Sequence, residues 1–180
     1  MLRLFFAFQS RIEPNLALTL EVAPLVMELQ AQAVPARNLH ATLCFVGAIE
    51  PDKLDALRAA AASVRGRRAT LCFDSLECWE TPKILCATAK LEGAAQPADD
   101  LARMLGEAAV AAGFAPDIKP FRPHLTLARK VPAAVAAHFQ SPRPLANPWI
   151  LRCDEFTLMQ SQRNETGSVY SAVDSWPLYE

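Results

Sequence analysis

The sequence has no basic excess: 18 Lys and Arg stand against 19 Asp and Glu, for a formal charge of −1. A protein that holds long duplex nucleic acid through its phosphates carries a surplus of cations. Its absence argues against that class without excluding a nucleic-acid substrate, and points to a local pocket for one or a few phosphates. Cysteine is sparse and odd in number. The five (Cys44, Cys72, Cys78, Cys86 and Cys153) include no Cys-x-x-Cys pair, which argues against a disulfide framework and a structural zinc site. Four of them sit in apolar, strand-like runs and read as reduced core residues. No apolar stretch is long enough to cross a bilayer. The run after Met1 ends at Gln9-Ser10-Arg11, too short for a secretory signal and with no Ala-x-Ala site behind it. A cytoplasmic protein with no membrane partner is the expectation. No Gly- or Ser-rich linker divides the chain, so residues 1–180 read as a single domain.

What is present is enough to build a core: 52% of the 180 residues are hydrophobic. Leu2 to Phe8 reads as a strand, and the segment from Pro14 to Pro35 as a helix that Pro24 kinks or begins. Leu39 to Val46 reads as a second strand, stopped by Gly47. Helices are expected over Pro51 to Val64 and Asp99 to Ala112, with a short one from Pro132 to Phe139. Ala69 to Trp79 and Ile84 to Leu91 suggest a hairpin. His124 to Ala128 is a further strand. After a proline-rich loop, Ser141 to Pro148, come strands at Ile150 to Gln160 and Ser168 to Trp176, joined by a polar turn at Gln162 to Gly167. Strands and helices in mixed order, with hairpins, predict an α+β fold with largely antiparallel sheet.

Two of the three histidines share one phrase. Leu39-His40-Ala41-Thr42-Leu43 and Pro123-His124-Leu125-Thr126-Leu127 both read His-x-Thr-Leu, and each follows a proline-bearing loop. They stand close to half the chain apart, as two similar halves would place them. Side chains alternate across a strand, so His40 shares a face with Thr42, and His124 with Thr126. Packed as pseudo-symmetric partners, the two faces would line a common cleft. Imidazoles titrate near neutrality, so one can take a proton from attacking water while the other gives one to a departing ribose oxygen. The threonine hydroxyls can donate to non-bridging phosphate oxygens.

Arg122 shares the His124 face by parity and is a candidate phosphate ligand, whereas Arg129 falls opposite Thr126 unless the strand bulges. His138 has no threonine partner and lies in a helical stretch, so it reads as structural. Arg65, Arg67 and Arg68 read as a solvated helix end. Zinc needs three or four protein ligands, and no carboxylate stands at i+2 or i+4 from either repeated histidine. No metal or cofactor is expected.

At these residues the sequence resembles the 2H phosphoesterase superfamily, specifically the bacterial RNA 2′,3′-cyclic phosphodiesterase family, also known as 2′-5′ RNA ligase. The likeness runs from Arg3-Leu4-Phe5-Phe6-Ala7 through Asn38 to Gly47 and Phe121 to Arg129, ending at Phe156-Thr157-Leu158 and Tyr170. It implies two pseudo-symmetric lobes of mainly antiparallel sheet with outer helices and an active cleft between them. It implies metal-independent opening of a terminal 2′,3′-cyclic phosphate to a 2′-phosphomonoester. His40 would then protonate the leaving 3′ oxygen, His124 would activate water, and Thr42 and Thr126 would bind phosphate. Arg129 matches the family's arginine. The chain departs from the pattern between Ser75 and Trp79, where Glu77 and Cys78 stand in place of glycines. If that loop touches the nucleobase, substrate preference differs from its relatives. Three readings stay open: hydrolysis of RNA ends, the same site used for 2′-5′ ligation or a small cyclic nucleotide, and a non-catalytic RNA-end binder. A monomer is expected in each.

Overall fold

The computed structural model describes residues 1–10, 12–139, 142–164 and 167–180. The first half runs β1 (Leu2–Gln9), α1 (Ile12–Glu28), β2 (Gln32–Ala33), β3 (His40–Ile49), α2 (Leu54–Ser63), β4 (Ala69–Trp79) and β5 (Ile84–Ala89). The second continues with α3 (Gln96–Ala111), β6 (His124–Arg129), α4 (Ala133–Ala136), β7 (Arg143–Cys153), β8 (Glu155–Asn164) and β9 (Gly167–Pro177). The fold is α+β, built on two antiparallel sheets. One has the order β3-β1-β8-β9, the other β2-β6-β5-β4-β7. Each sheet holds one of the repeated histidines at the start of a strand, His40 on β3 and His124 on β6.

The continuous apolar run Leu4 to Phe8 is buried throughout, as expected for a strand covered on both faces. Helix α3 shows the amphipathic counterpart: Ala98, Leu101, Ala102, Leu105 and Ala109 are buried at helical spacing. Pro97 sits in its first turn, and Gly113 follows its end at φ +85°. This apolar face packs on β3 and β4, so it supports the His40 strand from behind. One contiguous cluster of buried side chains draws on both sheets and on α1, α2 and α3.

Several expectations are corrected. Gly47 does not stop β3. It sits at φ +93° beside an extra residue, Val46, and the strand continues to Ile49. Helix α1 already runs from Ile12, so Pro24 lies inside it and does not begin it. The proline-rich stretch from residue 143 is strand rather than loop, because β7 is the edge of its sheet, where prolines cost no ladder bond. Ser141 itself lies outside the described residues, as do Glu165 and Thr166 of the expected turn. The single strand expected over Ile150 to Gln160 is two. The chain leaves one sheet at Cys153 and enters the other at Glu155.

The cysteines also divide. Cys44, Cys86 and Cys153 are buried, but Cys72 is exposed and Cys78 half-buried. Leu71 and Phe73 point into the core, so alternation turns Cys72 outward, opposite the exposed Ile150. Burial pushes the Cys86 and Cys153 thiols upward, away from the reactive thiolate. Brief iodoacetamide treatment of native protein is therefore expected to alkylate Cys72 first and spare Cys86 and Cys153. Peptide mass mapping checks this, and early labelling of Cys86 or Cys153 would contradict the packing.

Candidate active site

The two histidine strands carry the same irregularity. In β3, Phe6 pairs with Cys44 and Ala7 with Thr42, leaving Leu43 as an extra residue. In β6, Leu85 pairs with Ala128 and Cys86 with Thr126, leaving Leu127 as the extra residue. Each bulge thus falls on the leucine of His-x-Thr-Leu. A bulge shifts the alternation by one. Leu43 and Cys44 are both buried, as are Leu127 and Ala128, and the next residues, Phe45 and Arg129, return to the histidine face. The bulge is the condition under which Arg129 was expected to leave the face opposite Thr126.

The imidazoles are held alike. His40 Nδ1 lies 2.7 Å from the carbonyl oxygen of Asn38, and His124 Nδ1 lies 2.7 Å from that of Arg122. A carbonyl only accepts, so each Nδ1 carries the hydrogen and donates it. Each Nε2 is left to accept a proton when the ring is neutral and to donate one when it is charged. Asn38 is itself fixed, because its side-chain amide donates to the Ser168 carbonyl across the sheet at 2.9 Å. Ring packing completes the placement. His40 lies 4.9 Å from Phe5 and 4.8 Å from Tyr170, and His124 lies 4.7 Å from Trp79, between ring centroids.

His40, Thr42 and Arg129 line a cavity of about 480 Å³ together with Arg3, Phe5, Phe45 and Tyr170. His124 and Thr126, on β6, lie outside this lining, and the link between the two histidines is electrostatic. Burial lowers the His40 pKa to about 4. Its bond to Asn38 opposes the shift, and positive charge on Arg129 and on His124 adds to it. Burial likewise lowers His124, with Arg122 and Arg129 adding to the effect and the Glu77 carboxylate opposing it. Arg129 therefore acts on both rings.

Arg122 is placed differently. Its guanidinium lies 4.4 Å over the Trp79 ring and 3.4 Å from Glu77, lining a smaller cavity of about 270 Å³. Glu77 also accepts from the Trp79 indole at 2.7 Å and from the Thr88 hydroxyl at 3.0 Å. It fixes the ring that packs on His124. Cys44, four residues after His40, is buried with its thiol pushed up to about 11. His138 bonds back to Ala134.

Residues 13–165 match the model of the 2′-5′ RNA ligase superfamily. The chain belongs to that superfamily. It is 32% identical over 148 residues to an RNA 2′,3′-cyclic phosphodiesterase of Escherichia coli (strain K12), covering 81% of this chain and 78% of that protein. It is 29% identical over 151 residues to an RNA 2′,3′-cyclic phosphodiesterase of Geobacillus stearothermophilus, covering 81% of this chain and 47% of that longer protein. The crystal structure of E. coli LigT complexed with 3′-AMP superposes with a TM-score of 0.86 at 27% identity, covering 99% of each chain.

The repeated His-x-Thr-Leu phrase thus occupies two strands whose irregularities repeat one another. Parity, which placed both histidine–threonine pairs, missed what strand pairing brings to the cavity: Ser161 and Arg163 on β8, and Ser168 on β9. Ser168 had opened an expected strand, but Arg163 fell within the expected turn and Ser161 just before it.

Proposed function

We propose that this protein hydrolyses the 2′,3′-cyclic phosphate end of an RNA to a 2′-phosphomonoester by acid–base catalysis between His40 and His124. The mirrored Nδ1–carbonyl bonds carry the proposal, because they present one Nε2 from each bulged strand. Water attacks phosphorus as His124 Nε2 takes its proton. The bond from phosphorus to O3′ breaks as His40 Nε2 protonates the leaving oxygen. Thr42 and Thr126 donate to the non-bridging oxygens, and Arg129 opposes the charge that builds there. His124 ends protonated and His40 neutral, and exchange with solvent resets both.

The depressed pKa values fit a site completed by its substrate. At pH 7 a His40 with a pKa of about 4 is neutral in the empty cleft. An anionic phosphodiester beside the ring favours its charged form, and so opposes first the burial and then the Arg129 charge that depress it. Because His40 is the more strongly depressed ring, the reverse assignment, with His124 as acid, is the second reading. Among the described residues no three His, Cys, Asp or Glu side chains cluster to hold a metal ion, and arginine rather than carboxylate lines the cavity. These donors suit an anion rather than a cation.

A cytoplasmic setting suits the free cysteines, and no described helix is long and apolar enough to cross a membrane. The chain acts in this reading as one bilobal unit and a monomer. The test is incubation with a cyclic-phosphate-ended oligoribonucleotide in EDTA, with the product phosphate located by ³¹P NMR. A 2′-phosphomonoester is expected. A 3′-phosphomonoester, or turnover only after metal is added, would contradict the mechanism. Adding an RNA with a 5′-hydroxyl asks whether that group replaces water, which is ligation by the same acid and base.

A further inference from the structure

The cavity that holds His40, Thr42 and Arg129 is larger and more cationic than one cyclic phosphate requires. Its volume of about 480 Å³ falls in the ~300–1,000 Å³ range of sites that enclose whole small molecules. Three guanidiniums line it, from Arg3, Arg129 and Arg163, and no carboxylate does. Among the described residues none of the three forms an ion pair with Asp or Glu. Arg122 contrasts with them, since Glu77 already partners it. In a chain of net charge −1, so much unpaired positive charge in one place marks a polyanion site. A cyclic phosphodiester carries a single negative charge.

Strand register shows where the surplus lies. Ser161 pairs with Tyr170, whose ring packs on His40, and Arg163 pairs with Ser168 two residues further along. Ser161 and Arg163 alternate onto the same face of β8. Arg163 and Ser168 therefore sit one step past Tyr170 along the β8–β9 hairpin, where the Ser168 carbonyl is tied to Asn38. The hydroxyls of Ser161 and Ser168 add donors beside the guanidinium, a combination suited to phosphate oxygens.

We propose that Arg163, with Arg3, Ser161 and Ser168, forms a second phosphate subsite for the phosphodiester on the 5′ side of the terminal nucleotide. This rests on the proposed reaction and makes the substrate an RNA strand rather than a lone cyclic nucleotide. A terminal 5′-phosphate on a mononucleotide offers the same chemistry, so the test separates the two sources. Three substrates are compared by kcat/KM: a nucleoside 2′,3′-cyclic phosphate, its 5′-phosphorylated form, and a dinucleotide ending in the cyclic phosphate. Wild type is expected to prefer the dinucleotide to the bare nucleoside by about tenfold or more, as one charge-assisted contact provides. Arg163→Gln is expected to remove most of that ratio, and Arg163→Lys to retain most of it. The exposed position of Arg163 keeps folding out of the comparison. A ratio unchanged in Arg163→Gln would overturn the subsite. A gain from the 5′-phosphate with none from the dinucleotide would overturn the RNA assignment. Failure of wild type to turn over any of the three would instead overturn the reaction.

Discussion

Replacing either His40 or His124 with alanine is expected to lower kcat on a 2′,3′-cyclic-phosphate oligonucleotide by about 10²–10⁴-fold, the usual contribution of a positioned acid or base. Each ring bonds the backbone only locally, through Nδ1 to a carbonyl two residues earlier, so the fold should survive, as circular dichroism and thermal melting would report. The two losses are not equivalent in kind. A substrate with sulfur in place of the bridging O3′ releases a thiolate that needs little help from a general acid. His40→Ala is expected to recover much of its rate on that substrate, and His124→Ala is not. Recovery by His124→Ala alone would exchange the two roles, as the stronger depression of the His40 pKa allows. Recovery by neither, together with small initial losses, would argue against proton transfer by these rings.

Arg129→Ala is expected to lower kcat/KM by about 10²-fold, in the range found when one donor to a developing oxyanion is lost. It should also move the pH profile, in a direction the charges fix. The guanidinium disfavours a second positive charge, so it holds both imidazole pKa values down. Removing it lets both rise, which displaces the acid limb of kcat/KM to higher pH. Groups facing the rings from neighbouring elements are unchanged in the variant: Glu77 still opposes the depression of His124, and Arg122 still adds to it. A variant that lost activity with its acid limb unmoved would show that Arg129 acts by shape alone. A limb moved to lower pH would contradict the electrostatics outright.

Much of this site was legible in the sequence because a strand's period of two is rigid. His40 and Thr42 share a face, and so do His124 and Thr126, wherever the strands end. What parity could not show was the bulge. The alternation that turns Leu43 and Leu127 inward also predicts that Cys44 and Arg129 face apart from their apparent neighbours. Only pairing with β1 and β5 reveals the extra residue that buries Cys44 and returns Arg129 to the cleft. Strand β7 was hidden for a related reason. Pro144 and Pro148 argue for a loop until the sheet order shows an edge with no partner to disappoint. Arg3 and Arg163 lie far apart in the chain, and nothing local in either joins them. The pairing of β1 with β8 sets their strands side by side, and both residues line one cavity. The exposed Cys72 was misread because apolar neighbours on both sides masked the alternation that turns it outward.

The departure between Ser75 and Trp79 acquires a physical meaning in the structure. Glu77 accepts hydrogen bonds from Trp79 and Thr88 and pairs with Arg122. This end of β4 thereby fixes the ring that packs on His124 and engages the Arg122 guanidinium.

The claim on which the chemistry depends is that one phosphorus atom meets both imidazoles. The most direct measurement is a crystal structure of the protein with a nucleoside 2′-monophosphate, the proposed product. The phosphate is expected to lie within about 2.7–3.2 Å of Nε2 of both His40 and His124, with Arg129 beside it. A phosphate bound by one ring alone, or held between Arg122 and Trp79 away from both, would contradict it.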